Sequence, residues 1–166
     1  MARRSPSWSP DGRFLYFGSQ IKGRFQVFRM PAQGGTAVQL TYGSSSIYAQ
    51  PSPDGQWIYF CKQFAPGPIW RTPLDANAYR EEMVVGPPNH PLMGQYLLTN
   101  SEVIFADQGD ETHPAGIRAY TVASRQVRTI IQTNGHGLGL SHDGRTLYYS
   151  QSDRSGGNVM IANWDH

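Results

Sequence analysis

Residues able to do chemistry are few in this chain, and they are scattered. His90, His113 and His136 stand on segments that read as loops, and three imidazoles from separate loops can make a metal site. No His-x-His or His-x-x-x-His spacing ties them together, so they read as solvated side chains, and no metal or other cofactor is expected. His142 replaces a turn proline and His166 is the last residue, so neither reads as a ligand. Asp107, Asp110 and Glu111 form an acidic loop that lacks the spaced Asp/Asn pattern and remote bidentate Glu of a calcium loop. It too reads as solvated. Gly43-Ser44-Ser45-Ser46-Ile47 approaches a nucleophile elbow but lacks its second glycine. Cys61, the single cysteine, directly follows an apolar run and reads as a small buried thiol; no intrachain disulfide can form. No catalytic residue is assigned.

The elements that would position these side chains are legible through a repeat. Ser9-Pro10-Asp11-Gly12, Ser52-Pro53-Asp54-Gly55 and Ser141-His142-Asp143-Gly144 each precede an aromatic, apolar run: Phe14–Phe17, Trp57–Phe60 and Thr146–Tyr149. A fourth copy keeps only the strand, Thr99-Asn100-Ser101 leading into Val103-Ile104-Phe105. Aligning Leu15, Ile58, Val103 and Leu147 gives steps of 43, 45 and 44 residues, the period of propeller blades built from several short strands. In the turn, Pro presets φ at the second position, Asp tolerates the third, and Gly accepts a positive φ at the fourth. The motif is thus a hairpin corner, and its Asp is read as structural.

Each strand after the turn is apolar at nearly every position, where one buried face would give alternation. Leu15, Ile58, Val103 and Leu147 share a face with Phe17, Phe60, Phe105 and Tyr149; Tyr16, Tyr59, Ile104 and Tyr148 occupy the other. Both faces are expected to be covered by neighbouring blades. Inner strands are predicted at 4–8, 47–51, 92–97 and 137–140, third strands at 25–30, 69–72, 117–122 and 159–162, and outer strands at 37–41, 82–85 and 127–131. Gly135, Gly137 and Gly139 would suit a crowded axis. The best helix candidate, 76–84, is short and weakly amphipathic. Four repeats of about 44 residues need about 176, so the fourth blade lacks its outer strand. The fold class is all-β: a single propeller segment over 1–166, of about four four-stranded antiparallel blades at 1–44, 45–88, 89–134 and 135–166, the last incomplete. Its open edges invite pairing with another copy of the chain.

Fourteen Lys and Arg against twelve Asp and Glu give a charge of +2, with no basic run longer than Arg3-Arg4. Direct nucleic-acid binding needs basic charge gathered on one face, and is not expected. Nothing approaches 18 successive apolar residues, and Met1–Pro6 leads into polar turn residues rather than an apolar signal core. The chain reads as soluble, with cytoplasmic and periplasmic locations both open.

The order Ser-Pro-Asp-Gly, aromatic strand, Val27-Phe28-Arg29-Met30, Gly-Gly turn and Val38-Gln39-Leu40-Thr41 resembles the TolB-like β-propeller repeat, a relative of the WD repeats. Residues 5–43 match closely, 46–86 and 136–164 well, and 90–133 in their strands. The resemblance implies the C-terminal propeller part of a longer bacterial protein. Related propellers serve as protein-binding scaffolds, as partners of winged-helix domains in transcriptional regulators, as peptidase-associated domains, or as metal-dependent polysaccharide lyases. In such propellers the inner-strand approaches and second-to-third-strand loops form the usual partner rim, here Tyr48, Gln63, His90, Met93, Asp107, His113 and His136. The expected function is a non-enzymatic scaffold for a protein, peptide or other ligand; the alternative is a metal-dependent lyase or peptidase-associated propeller.

Overall fold

The Ser-Pro-Asp-Gly corners set the architecture. Ser9 Oγ donates to Asp11 Oδ1 at 2.7 Å and accepts from Phe14 N at 2.8 Å, while Asp11 Oδ1 accepts from Arg13 N at 3.0 Å. Gly12 N closes the turn on Ser9 O at 2.9 Å, with Gly12 at φ 69°. Ser52, Asp54 and Gly55 repeat this, as do Ser141, Asp143 and Gly144. Where the motif is lost, Thr99 Oγ1 accepts from Glu102 N at 2.9 Å and holds a shorter corner.

The computed structural model describes residues 3–62, 66–153 and 156–163. Among them are fifteen strands in four antiparallel sheets: β1 (Arg3–Trp8), β2 (Phe14–Ile21), β3 (Arg24–Pro31), β4 (Val38–Gln39); β5 (Ser46–Pro51), β6 (Trp57–Lys62), β7 (Ile69–Pro73), β8 (Glu82–Val85); β9 (Pro91–Leu98), β10 (Glu102–Asp107), β11 (Gly116–Thr121), β12 (Gln126–Gln132); and β13 (His136–Leu140), β14 (Thr146–Asp153), β15 (Gly156–Asn163). Each sheet is a meander of sequential strands, four-stranded in the first three and three-stranded in the last. The all-β, four-blade expectation holds, with the fourth blade short of its outer strand among the described residues. The helix candidate is reduced to one 3-10 turn, Ala76–Ala78, capped by Asp75. Outer strand β4 is shorter than predicted, because the Thr41 hydroxyl takes the Val27 N–H at 2.9 Å in place of a ladder carbonyl.

The chain divides into two compact units, Met1–Gly86 and Pro87–His166, with two blades in each. In the first unit Tyr16 and Val27 pack against Ala49, Ile58 and Phe60. In the second, Ile104, Ile117 and Ala119 pack against Leu147 and Tyr149. One rule covers both: the Tyr16-type face of a blade meets the Leu15-type face of the next. Every residue of β10 is buried. The fourth blade departs from the expected two-sided burial, since Leu147 and Tyr149 are buried while Tyr148 is 37% exposed. No described helix is long and apolar enough to cross a membrane.

Candidate functional site

Two of the three candidate histidines come together in the third blade. His90 lies just before β9 and His113 on the β10–β11 loop, and their rings stack with centroids 6.3 Å apart. Two carboxylates hold them. Asp107 ends β10 and is fully buried. Its Oδ1 accepts from His90 N at 3.1 Å and Gly109 N at 3.0 Å. Its Oδ2 lies 3.3 Å from His113 Nε2 and 2.8 Å from Arg118 Nε, an ion pair whose N–H is not aimed along the contact. Arg118 is pinned further by donating to Thr129 Oγ1 and Pro114 O, both at 2.9 Å. Asp110 Oδ1 accepts from the Thr112 amide and hydroxyl at 2.6 Å each, and its Oδ2 lies 3.2 Å from His90 Nε2. The Thr112 hydroxyl bond, then the Thr112 amide, hold the Asp110 carboxyl far below the usual carboxylate range, with the neighbouring His113 amide adding to them.

An imidazole oriented by a buried carboxylate is half of an acid–base dyad. Thr112 Oγ1 is 3.4 Å from His113 Nδ1, but its proton goes to Asp110 at 2.6 Å. Asp107, read from sequence as part of a solvated loop, instead has its oxygens occupied by backbone amides, Arg118 and His113. Its burial depends on the register that pairs it with Gly116 and sets Arg118 two residues further along β11. The cluster clasps the approach to β9 against the β10–β11 loop. His136 begins β13 opposite Ser150 and is exposed. Among the described residues no group of three His, Cys, Asp or Glu is arranged to hold a metal ion. Met93 is half-buried within β9, and Gln63 lies outside the described residues. Cys61 is buried, as its apolar strand predicted.

A concave surface lies elsewhere, along inner strands β1 and β5 of the first unit. There a groove of about 450 Å³ is lined by Trp8, Tyr48, Pro6, Pro10, Pro51 and Pro53, with no charged side chain among the described residues of its lining. A repeated backbone device shapes it. Each inner strand slips register once, between Arg4 and Ser7, Ile47 and Gln50, Pro91 and Tyr96, and His136 and Gly139. Inside each slip sits a left-handed residue: Ser5 at φ 51°, Tyr48 at 57°, Gly94 at 72° and Gly137 at 65°. Such bulges re-aim side chains. Glycine adopts that conformation freely; a tyrosine does so at a cost of order 1–3 kcal/mol. Tyr48 is therefore held at a strained position on the groove wall. Trp8, 59% exposed, lines the same groove from β1, and Ser7 Oγ ties the two strands by donating to Ala49 O at 2.7 Å. Tyr48 was singled out from sequence; Trp8 was not. The signal that would have found the groove is the equivalence of Ser5 and Tyr48 with two glycines.

No family model matches the chain. It is 36% identical over 85 residues, 47% of this chain and 29% of the relative, to an uncharacterized protein of Agrobacterium fabrum. Among solved structures it is similar to TolB from Acinetobacter baumannii, with a TM-score of 0.78 and 17% identity over 98% of this chain and 41% of that one. It is also similar to an oligogalacturonate lyase in complex with manganese, with a TM-score of 0.69 and 16% identity over 93% of this chain and 48% of that one. The chain thus spans less than half the length of each of these proteins. At such identities the likeness is one of fold, and that fold is the TolB-like β-propeller.

Proposed function

We propose that this chain is a non-enzymatic binding scaffold, the interaction part of a longer bacterial protein such as a regulator, and that the β1–β5 groove takes an uncharged, extended segment of a protein partner. The observation that carries this reading is a proline-lined groove that holds both the strained Tyr48 and the exposed Trp8. Aromatic anchors in an apolar groove dominate binding energy at interfaces, and backbone strain persists where the surroundings over-determine it, commonly at functional sites. The internal saturation of the His90–His113 cluster supports a scaffold over a lyase. The fraction of each relative that the chain spans supports a larger parent.

The test has two arms. Peptides selected from a displayed random library on the wild-type protein are expected to be apolar and uncharged, and to lose at least about tenfold in affinity, ~1.4 kcal/mol, on Trp8→Ala or Tyr48→Ala by fluorescence anisotropy. Peptides that bind both variants as well as wild type would refute the groove. Incubation with oligogalacturonate and manganese is expected to yield no unsaturated product. Product formation lost in His113→Ala would make the chain a lyase.

A further inference from the structure

The first two blades place an arginine at the same position and treat it differently. Arg29 on β3 pairs in register with Tyr16, and Arg71 on β7 with Tyr59, so the two are counterparts. On the outer side Arg71 pairs with Glu82 of β8, and its Nε donates to that carboxylate. Arg29 instead pairs with Val38 of β4. The charge that the second blade neutralises within itself, the first blade leaves without an acid.

Arg29 shares the face of Tyr16, which packs on the second blade, and its Cζ stands 4.8 Å from the centroid of the Phe14 ring. On that seam between consecutive blades it lines a cleft of about 490 Å³ with Arg80, Asp75, Trp57, Pro73 and Leu74. Trp57 holds Arg80 at 5.2 Å from its ring centroid, while Arg71, spent on Glu82, lies 4.0 Å from the same ring. Among the described residues no carboxylate forms an ion pair with Arg29 or Arg80. Two cations against the single acid Asp75 leave the lining one positive charge in excess, which matches a monoanion and not a polyanion. Guanidinium forks fit the two oxygens of a carboxylate, Pro73 and Leu74 offer apolar contact beside them, and the volume is that of a small-molecule site. We propose that this cleft binds a small monocarboxylic acid with an apolar body, its carboxylate held by Arg29 and Arg80. The cleft and the β1–β5 groove have no lining residue in common, so the proposal does not rest on the peptide-groove reading.

Titration of the full chain with phenylacetate, followed by nitrogen–proton correlation NMR, tests this. Shifts that saturate at millimolar ligand are expected at the Nε–H groups of Arg29 and Arg80 and at the Leu74 amide. Phenylacetamide, which keeps the apolar body and lacks the charge, is expected not to saturate over the same range. Arg29→Gln and Arg80→Gln are each expected to weaken binding at least about fivefold, whereas Arg145→Gln, which removes the same charge outside the cleft, leaves it unchanged. Arg29 is half-buried, so a second variant keeps every cleft residue in place. Val38→Glu sets opposite Arg29 the acid that Glu82 sets opposite Arg71, at a position 50% exposed, and is expected to abolish saturation with circular dichroism unchanged. Shifts that stay linear in phenylacetate, an equal response to phenylacetamide, or wild-type affinity in Arg29→Gln, Arg80→Gln or Val38→Glu would overturn the proposal.

Discussion

Tyr48 has the backbone of a glycine and, on the proposed reading, the side chain that anchors a partner. Its φ of 57° matches the left-handed setting that Gly94 and Gly137 adopt at equivalent bulges. A Tyr48→Gly variant relieves the strain but loses packing and gains unfolded-state entropy, each near 1 kcal/mol. The expected outcome is an unfolding free energy from urea melts within about 1 kcal/mol of wild type together with loss of the selected peptides. A loss of more than about 3 kcal/mol would make Tyr48 a core residue instead. The sequence singled out Tyr48 by its place at the entry of a predicted inner strand, and no local pattern disclosed its φ. Asp107 illustrates the opposite limit. Its burial comes from Arg118 and two histidines delivered by other segments, so an acidic residue at a strand end read as solvated until the register was known.

At the level of the element, the corner turns were the most legible feature, because Ser-Pro-Asp-Gly states its own hydrogen bonds. Ser and Asp side chains replace the backbone partners a tight turn leaves unmet, and three of four corners follow that wiring. The corner carboxylates should make the fold acid-sensitive. Hydrogen bonds from Ser9 and then the Arg13 amide lower the Asp11 carboxyl from 3.8 to about 2; Asp54 and Asp143 are lowered by Ser52 and Ser141 in the same way. A carboxyl depressed in the folded state adds stability above its unfolded value and loses it as pH falls through the folded one. Thermal midpoints are therefore expected to fall between about pH 4 and pH 2, and to fall less in an Asp11→Asn, Asp54→Asn, Asp143→Asn variant whose midpoint at pH 7 is already lower. Equal slopes for the two proteins would remove the turns as the source. The two-sided apolar strands were equally legible up to Tyr148, which is 37% exposed.

Over the whole chain, charge gives no reason to expect a polyanionic partner. The 14 basic residues are nearly balanced by 12 acidic ones, and several pairs are consumed internally, as in Lys62 with Glu81, Arg71 with Glu82 and Arg128 with Glu102. Affinity for a phosphate backbone scales with the cations presented together. Anisotropy with a labelled random-sequence duplex is expected to stay flat at micromolar protein in low salt. A binding curve that weakens steeply with added salt would show a basic surface not apparent from these pairs. Propeller architecture was readable because one period recurs four times, so each copy corrects the others. What the blades hold was not, since a repeat advertises its scaffold and a ligand groove sits where the copies differ.

The lone thiol gives the second blade an intrinsic clock. Cys61 is 2% exposed on β6, so an alkylating reagent reaches the sulfur only when that blade opens locally. The labelling rate then reports the opening frequency of one paddle, residue by residue chemistry standing in for a spectroscopic probe, with no engineered tag required.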